Sequence, residues 1–570
     1  MKIKSIIIAA FSLVSMGIYT SCEDMMDTSS SLVMFSEDNT LDQATDTVYS
    51  VMGIISKIQA IADQTVLLGE IRGDLVELSS QASVDLQQLA QFNVGENNVY
   101  NAAEGYYAVI NNCNFYLSKV DTSLKKRNEY VFRKEYAAVK TYRAWTYLQL
   151  AMIYGTVPFI TEPILTEAAA NKTYPMYSVK ELCNFFVSDL TPYINVPFPY
   201  YGAINNQDSR KFFIPARVVL GDLCLWAERY IDASRFYHDY LTLENNIVSI
   251  GTNQISWDNE STTFTNVSNS YSTMFSSVGD VEIVSYIPME TLATERAYSG
   301  LRDVFNSTVK NYYFYQAKPS QKLIELSQSQ SNCLVYRNGA LRDTLFAPEK
   351  NDDNPLLVGD LRLSSVYLTR NEDSDQPTGE EGSQSSNTNY SSERQTISKF
   401  STGNVILYRR SQIYLRFAEA MNRAGFPESA FAVLKYGLYP STISRYINAR
   451  ERENSSNLLS FSQYSFSAGN TIGIHSRGAG DASSNGFYVL PALSSLSDSI
   501  NYVEDLISNE CALETSFEGF RFYDLVRIAI HRNNNSWLAE KIAGRKGSLN
   551  YDQALYNTLL NKESWYLPLK

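Results

Sequence analysis

Residues 214–240 read IPARVVLGDLCLWAERYIDASRFYHDY, and residues 414–434 read YLRFAEAMNRAGFPESAFAVL. In the first stretch apolar residues recur at helical spacing on both sides of a tight turn near Ile231, which predicts a pair of packed helices. Pro215 suits the first turn of the leading helix, where the N–H it lacks would have no intrahelical partner. Gly221 is small enough to let two helices approach, and Tyr230 offers an aromatic ring to fill the groove beside Ala233. The second stretch repeats the plan, with a helix from Tyr414, a turn at Gly425-Phe426, and Ala430 and Leu434 on the returning helix. The units stand roughly two hundred residues apart, so the chain does not read as a continuous solenoid.

Leu220-Gly221 followed by Tyr230-x-x-Ala233 resembles the tetratricopeptide pattern. Further helices are predicted over residues 41–61, with Val48, Val51, Met52, Ile55 and Ile58 on one face, and over 100–120. A third covers 134–154 and stops at Gly155 and Pro158. From about 248 to 404 the character changes to Ser, Thr, Asn, Gly and aromatics, with short strand-like runs such as residues 282–287. Residues 371–392 are acidic and almost free of apolar side chains, the composition of a mobile surface loop, and 454–499 are again irregular and Ser-rich. The predicted fold is mainly α. A tetratricopeptide-like scaffold (about 41–245 and 405–570) carries a large, loop-rich, irregular insertion (about 248–404), the kind of segment that holds binding residues.

Composition narrows the function. With 570 residues, 44% apolar and 19% charged, the chain can bury a core without staples. A net charge of −13 argues against tracking nucleic-acid phosphates. Three histidines, His238, His475 and His531, form no ligand spacing, so no metal centre is expected and no cofactor is implied. The histidines also have plain contexts for catalysis, and no phosphate loop or G-x-S-x-G elbow occurs. The 40 tyrosines against five tryptophans are the compositional excess, useful to a core, an interface or a sugar-stacking surface.

The N-terminus indicates the compartment. Lys2 and Lys4 precede an apolar run over 6–18 that is too short to span a bilayer, and no later stretch is expected to span one. Tyr19-Thr20-Ser21-Cys22 resembles a bacterial lipobox, which implies a signal peptide over 1–21 and acylation of Cys22, while Glu23-Asp24 resembles a surface-export tag. Two or more acyl chains, at about 0.8 kcal/mol per buried CH₂, give stable anchoring. The remaining cysteines, Cys113, Cys183, Cys224, Cys333 and Cys511, lack a C-x-x-C pair and read as small hydrophobes.

Several motifs then align in order. Arg143-Ala144-x-x-Tyr147-x-x-Leu150 leads to Tyr154-Gly155-Thr156-Val157-Pro158; Asp360-Leu361-Arg362 follows; next comes Tyr414-Leu415-Arg416-Phe417-Ala418-Glu419-Ala420-Met421-Asn422. Glu510 and Glu514 precede Phe517-Glu518-Gly519-x-Arg521-x-x-Asp524-x-x-Arg527, and Tyr566-Leu567-Pro568-Leu569 closes the chain, with Lys570 where a second proline is usual. The set resembles the SusD/RagB family, surface lipoproteins that partner SusC-type TonB-dependent transporters. Residues 68–75 and 100–114 resemble its RagB-like branch.

The resemblance implies one SusD-like domain over 22–570, lipid-anchored on the outer membrane and facing outward. It implies non-catalytic capture of an oligosaccharide and its delivery to the transporter; peptide capture and a surface glycosidase are the alternatives. Candidate stacking residues lie on the insertion: Trp257, Tyr271, Phe275, Tyr298, Tyr312, Tyr313 and Tyr315. Candidate polar partners are Asn97, Asn98 and Arg296. Tyr106, Tyr136, Tyr147 and Tyr230, within helices, read as core. Glu510, Glu514 and Glu518 fall four apart on one predicted helical face, with Arg521 and Asp524 three apart beyond them, a spacing that favours ion pairing over a glycosidase carboxylate pair. Arg521 is expected to pair with Glu518 and Asp524, Arg527 with Asp524, and Arg416 and Glu419 to pair between helices. Arg72-Gly73-Asp74 reads as a chance tripeptide rather than an adhesion signal.

Overall fold

In the computed structural model the chain is described over residues 41, 44–243, 254–258, 263–268, 270–290, 297–306, 316–330, 332–337, 341–346, 360–370, 394–400, 402–461, 472–479 and 488–569. Cys22, the acidic stretch 371–392, and Arg296, Tyr312, Tyr313 and Tyr315 lie outside these residues. The helices that build the scaffold are α1 (Ala44–Gln59), α2 (Ala62–Glu70), α3 (Val84–Ala90), α4 (Ala103–Lys119), α5 (Arg133–Tyr154), α6 (Val179–Leu190), α7 (Ala216–Trp226) and α8 (Tyr230–Leu241). After the insertion come α9 (Arg410–Arg423), α10 (Pro427–Lys435), α11 (Leu496–Glu514), α12 (Arg521–Arg532), α13 (Asn535–Ala543) and α14 (Gln553–Leu559).

Periodicity explains most of these. Val51, Ile54, Ile55 and Ile58 line the buried face of α1. Residues Val48–Glu70 are long and apolar enough, by length and composition, to cross a membrane, which departs from the reading that no such stretch follows the leader. The chain breaks there into α1 and α2, and Val51, Leu67 and Leu68 are spent on the protein core. From Ala137 onward nearly every side chain of α5 is buried, and Gly155 at φ +78 ends it in a conformation that L side chains rarely adopt.

The first helix pair forms as expected, with the turn slightly earlier than Ile231, at residues 227–229, where Glu228 takes φ +62. The ring that fills the groove is Tyr237 rather than Tyr230. A Cβ on Gly221 would stand 2.3 Å from Cε1 of Tyr237, so the approach of α7 and α8 requires glycine. The hydroxyls of Tyr237 and Tyr408 both donate to Asp222, at 2.5 and 2.6 Å, satisfying a buried carboxylate.

Helices α4 to α10 pack in series, each on the next, and α11 packs on α9 and α10. The junction between α8 and α9 brings together the two units that sequence separates, so the stack is continuous in space although interrupted along the chain. One hydrophobic core runs through both halves.

The insertion is more ordered than its composition suggests. Strands β1 (Gln254–Asp258), β2 (Thr263–Ser268), β4 (Asn332–Arg337) and β5 (Leu341–Phe346) form a four-stranded sheet in the order β5-β4-β1-β2, with β4 and β1 parallel. Strand β3 (Ile283–Ile287), the run expected at 282–287, pairs antiparallel with β6 (Val405–Arg409). Since β6 leads directly into α9, this pairing fastens the insertion to the scaffold.

The acidic motif is rearranged by tertiary structure. Helix α11 ends at Glu514; Phe517 (φ +68) and Gly519 (φ +92) reverse the chain, and a new helix starts at Arg521. Glu518 is therefore not on the face of Glu510 and Glu514. Arg362 joins Glu510 at 2.6 Å and Glu514 at 3.0 Å; Arg409 joins Glu514 at 3.1 Å and Glu518 at 2.7 Å; Arg477 reaches Glu514 at 2.5 Å. Arg521 does not pair with Glu518. Its fork closes on Asp74, at 2.5 and 2.9 Å. Arg527 pairs with Asp524 at 2.8 Å as expected, and also with Glu419 across from α9 at 2.6 Å, while Arg416 faces Asp524 at 3.6 Å. Arg72 and Asp74 are buried, which removes any adhesive role for the tripeptide.

Candidate functional site

A cleft of about 690 Å³ opens where the α1–α2 junction meets the insertion, within the size range of small-ligand sites. The scaffold supplies Lys57, Gln59 and Asp63, and the insertion supplies Met289, Glu290 and Tyr298. The two sides are tied by side-chain hydrogen bonds. Gln59 Nε2 donates to the Pro288 carbonyl at 2.5 Å. Asp63 accepts from Ser299 Oγ at 2.6 Å and from the Gly300 N–H at 2.8 Å. The Met289 N–H donates to Asn404 Oδ1 at 2.9 Å, which anchors the same loop to the chain just before β6.

Burial pushes the Asp63 carboxyl up, against the opposing hydrogen bonds from Ser299 and Gly300. Both of its oxygens are occupied in holding the loop that carries Tyr298, so Asp63 positions the cleft. The Tyr298 hydroxyl turns to Asp303, at 3.3 Å, leaving a half-buried ring at the cleft wall. Lys57, Gln59 and Glu290 then offer a cation, an amide and a carboxylate around that ring. Such a mixture of donors and acceptors beside an aromatic face suits a polyhydroxylated ligand.

The candidate binding residues separate into groups. Tyr298 lines the cleft. Tyr100, beside the candidate amides, lies in the field of Asp63 and Asp85; burial first and these carboxylates second push its hydroxyl up to about 12. Asn97 is exposed on that loop. Asn98 is buried, donating to the Asp85 carbonyl at 3.0 Å and Gln88 Oε1 at 2.9 Å and accepting from the Tyr100 N–H, so it shapes the loop instead of facing a ligand. Trp257 is placed by its backbone on β1, paired with Arg337 and Phe264.

Tyr271 and Phe275 correct the sequence reading most clearly. They are 0% and 2% exposed and pack on the buried ion network, where Lys399 donates to the Tyr271 hydroxyl at 2.7 Å and lies 4.6 Å from the Phe275 ring. An aromatic with no accessible face cannot stack on a sugar. Their Ser- and Asn-rich surroundings suggested a surface loop, and the charges that draw them inward come from residues more than a hundred positions away.

The sequence reading missed Lys57, Gln59, Asp63 and Glu290. They fall at a helix end and in a loop without a motif, so only the folded geometry brings them together.

Glu510 and Glu514 cannot act as an acid–base pair. Burial alone would push Glu514 up, but Arg477, Arg409 and Arg362 hold it down at about 2, and Glu510, which also bonds His475 at 2.7 Å, is held well below the carboxylate range. Both are wholly buried and ionised.

Residues 366–569 match the SusD family model. They include the helix from Tyr414, the turn through Gly519 and the closing Leu567-Pro568, whereas the 143–158, 68–75 and 360–362 motifs lie outside the match. No curated protein matches the chain. Among solved structures, a SusD superfamily protein from Bacteroides vulgatus shares the fold with a TM-score of 0.59 at 14% identity, covering 93% of this chain and 96% of that one. A SusD superfamily protein from Bacteroides thetaiotaomicron gives 0.57 at 15% identity, over 92% and 96%. A SusD-like carbohydrate binding protein from Bacteroides fragilis gives 0.52 at 14% identity, over 87% and 88%. The sequence signature of the SusD family thus lies in the C-terminal third of the chain, and the fold it shares with SusD superfamily structures runs along nearly its whole length.

Proposed function

We propose that this protein captures an oligosaccharide at the cell surface without breaking it and passes it to a SusC-like TonB-dependent transporter. The observation that carries the reading is the cleft between the α1–α2 junction and the Tyr298 loop, where an aromatic ring is surrounded by an amide, a cation and carboxylates. The fold supports it, because one structure that shares it is named a carbohydrate binding protein. Acylated Cys22 would hold the protein on the outer membrane beside the transporter, in keeping with the lipobox-like sequence.

Calorimetric titration of the folded chain against a panel of neutral oligosaccharides tests the proposal, with mass spectrometry of the recovered sugar. Binding that returns the sugar intact, and from which Tyr298→Ala removes a site, supports capture. Shortened products would move the reading to a glycosidase, and binding of tripeptides but no sugar would move it to peptide capture.

A further inference from the structure

A larger cleft, of about 950 Å³, lies at the C-terminal end of α5 and shares no residue with the cleft at Tyr298. It is bounded by the 154–156 turn, the start of α6, the end of α7, the end of α12 and the closing residues 561–568. Its wall includes Arg527, which is 1% exposed. Nε and Nη2 of this guanidinium are bound to Glu419 at 2.7 and 2.6 Å, and Nη2 also to Asp524 at 2.8 Å, while Nη1 is buried with no protein partner. The Tyr154 hydroxyl, from the same wall, is likewise buried and unpartnered. Buried donors in folded proteins almost always find an acceptor, from protein, water or ligand.

The charge around Arg527 defines what could supply that acceptor. Glu419 and Asp524 already neutralise the guanidinium, and at the rim Lys180 is paired with Glu228 at 3.3 Å while Lys562 stands next to Glu563. An anion would therefore gain little net attraction. Tyr566, half-buried, supplies aromatic surface beside these paired charges, backed by Trp226, whose buried ring lies 5.5 Å from the Arg527 guanidinium. A neutral ligand with an apolar face and hydroxyls that both donate and accept matches this wall.

We propose that this cleft is a second saccharide site, independent of the one at Tyr298. With two sites on separate surfaces, one chain could hold a branched or long glycan at two points, raising its local concentration at the first site.

Saturation-transfer NMR on the folded chain tests it, with glucose, galactose, mannose, xylose and N-acetylglucosamine and their linear trisaccharides as probes. Thr156→Trp and Lys562→Trp, at exposed positions lining the cleft, each fill it; if one fails to fold, the other serves. The expected result is a sugar signal that is reduced by Tyr298→Ala and by the cleft-filling variant taken singly, and is lost when the two are combined. A signal lost in Tyr298→Ala and unchanged by both tryptophans overturns this inference and leaves capture at Tyr298 standing. A signal lost only in the tryptophan variants supports the second site and overturns the first. Silence from every sugar with the unaltered chain overturns both, and tri-alanine displacing the sugar from the second cleft would reassign that cleft to peptide.

Discussion

Replacing Arg362 with methionine keeps most of the side-chain volume and removes the charge from the centre of the ion network. Arg362 and its three partners, Asp360, Glu510 and Glu514, have side chains 0% exposed. The substitution breaks the contacts at 2.7, 2.6 and 3.0 Å and leaves the carboxylates unequally compensated. Glu514 keeps Arg409 and Arg477, and Glu510 keeps His475 and the Tyr488 hydroxyl at 2.7 Å. Asp360 loses both guanidinium bonds. Removing one partner from a buried pair costs about 3–5 kcal/mol, so Arg362→Met should lower stability by that order in a urea or thermal melt at pH 7. The pH dependence gives the sharper test. Glu510 and Glu514 have folded pKa values below the ordinary 4.5, so their stabilising contribution is complete above that value and fades as pH falls through the folded values, about 2 for Glu514. The variant, with those carboxylates less strongly held down, should show a smaller gap from the unaltered protein at pH 3.5 than at pH 7. Adding Glu510→Gln should recover part of the loss, because the uncompensated charge goes with it. A melt unchanged at pH 7, or a gap that widens in acid, would refute the reasoning, and so would loss of sugar binding in a variant that remains folded.

Gly221→Val should destabilise the helix stack by about 1–3 kcal/mol or more in a denaturant titration, because its Cβ would stand 2.3 Å from the Tyr237 ring. Gly519→Ala should be at least as damaging: at φ +92 its Cβ would sit 2.4 Å from the Thr65 carbonyl oxygen, and the clasp in which Glu70 accepts from the Gly519 N–H at 2.8 Å would be forced apart, which thermal melting would register. Tyr298→Phe should keep sugar binding at this cleft within a few-fold while Tyr298→Ala abolishes binding there, since the hydroxyl faces Asp303 and the ring faces the cleft; calorimetry separates the two outcomes. Cys22→Ser should move the chain from the membrane fraction to the soluble fraction on cell fractionation, whereas an unchanged distribution would remove the anchor from the proposal.

Local sequence was a good guide wherever neighbours along the chain decide the outcome. The helices at 44–59, 103–119, 133–154, 216–241 and 410–435 are set by apolar periodicity, by Gly155 and Gly425 at their turns, and by small residues where helices meet, so they were legible before any coordinates. The pairing of Arg527 with Asp524 was legible for the same reason, because three residues on a helix are always neighbours. Composition misled in the insertion, where Ser-, Thr- and Asn-rich runs hid strands such as β1 and β4, and even for the expected run at 282–287 it could not name the partner, because β3 pairs with β6 and β1 with β4 across long stretches of chain.

By itself, then, the sequence determined a helical scaffold, a family resemblance in its motifs and the absence of familiar catalytic signatures. Only the tertiary structure decided that Glu518 leaves the face of Glu514, that Arg521 closes on Asp74, that Tyr271 and Phe275 turn inward, and that Asp63 meets the loop of Tyr298. Charges and rings have no periodicity that names their partner. Their placement depends on which distant segments are brought together when the core is buried, and that is a property of the whole chain.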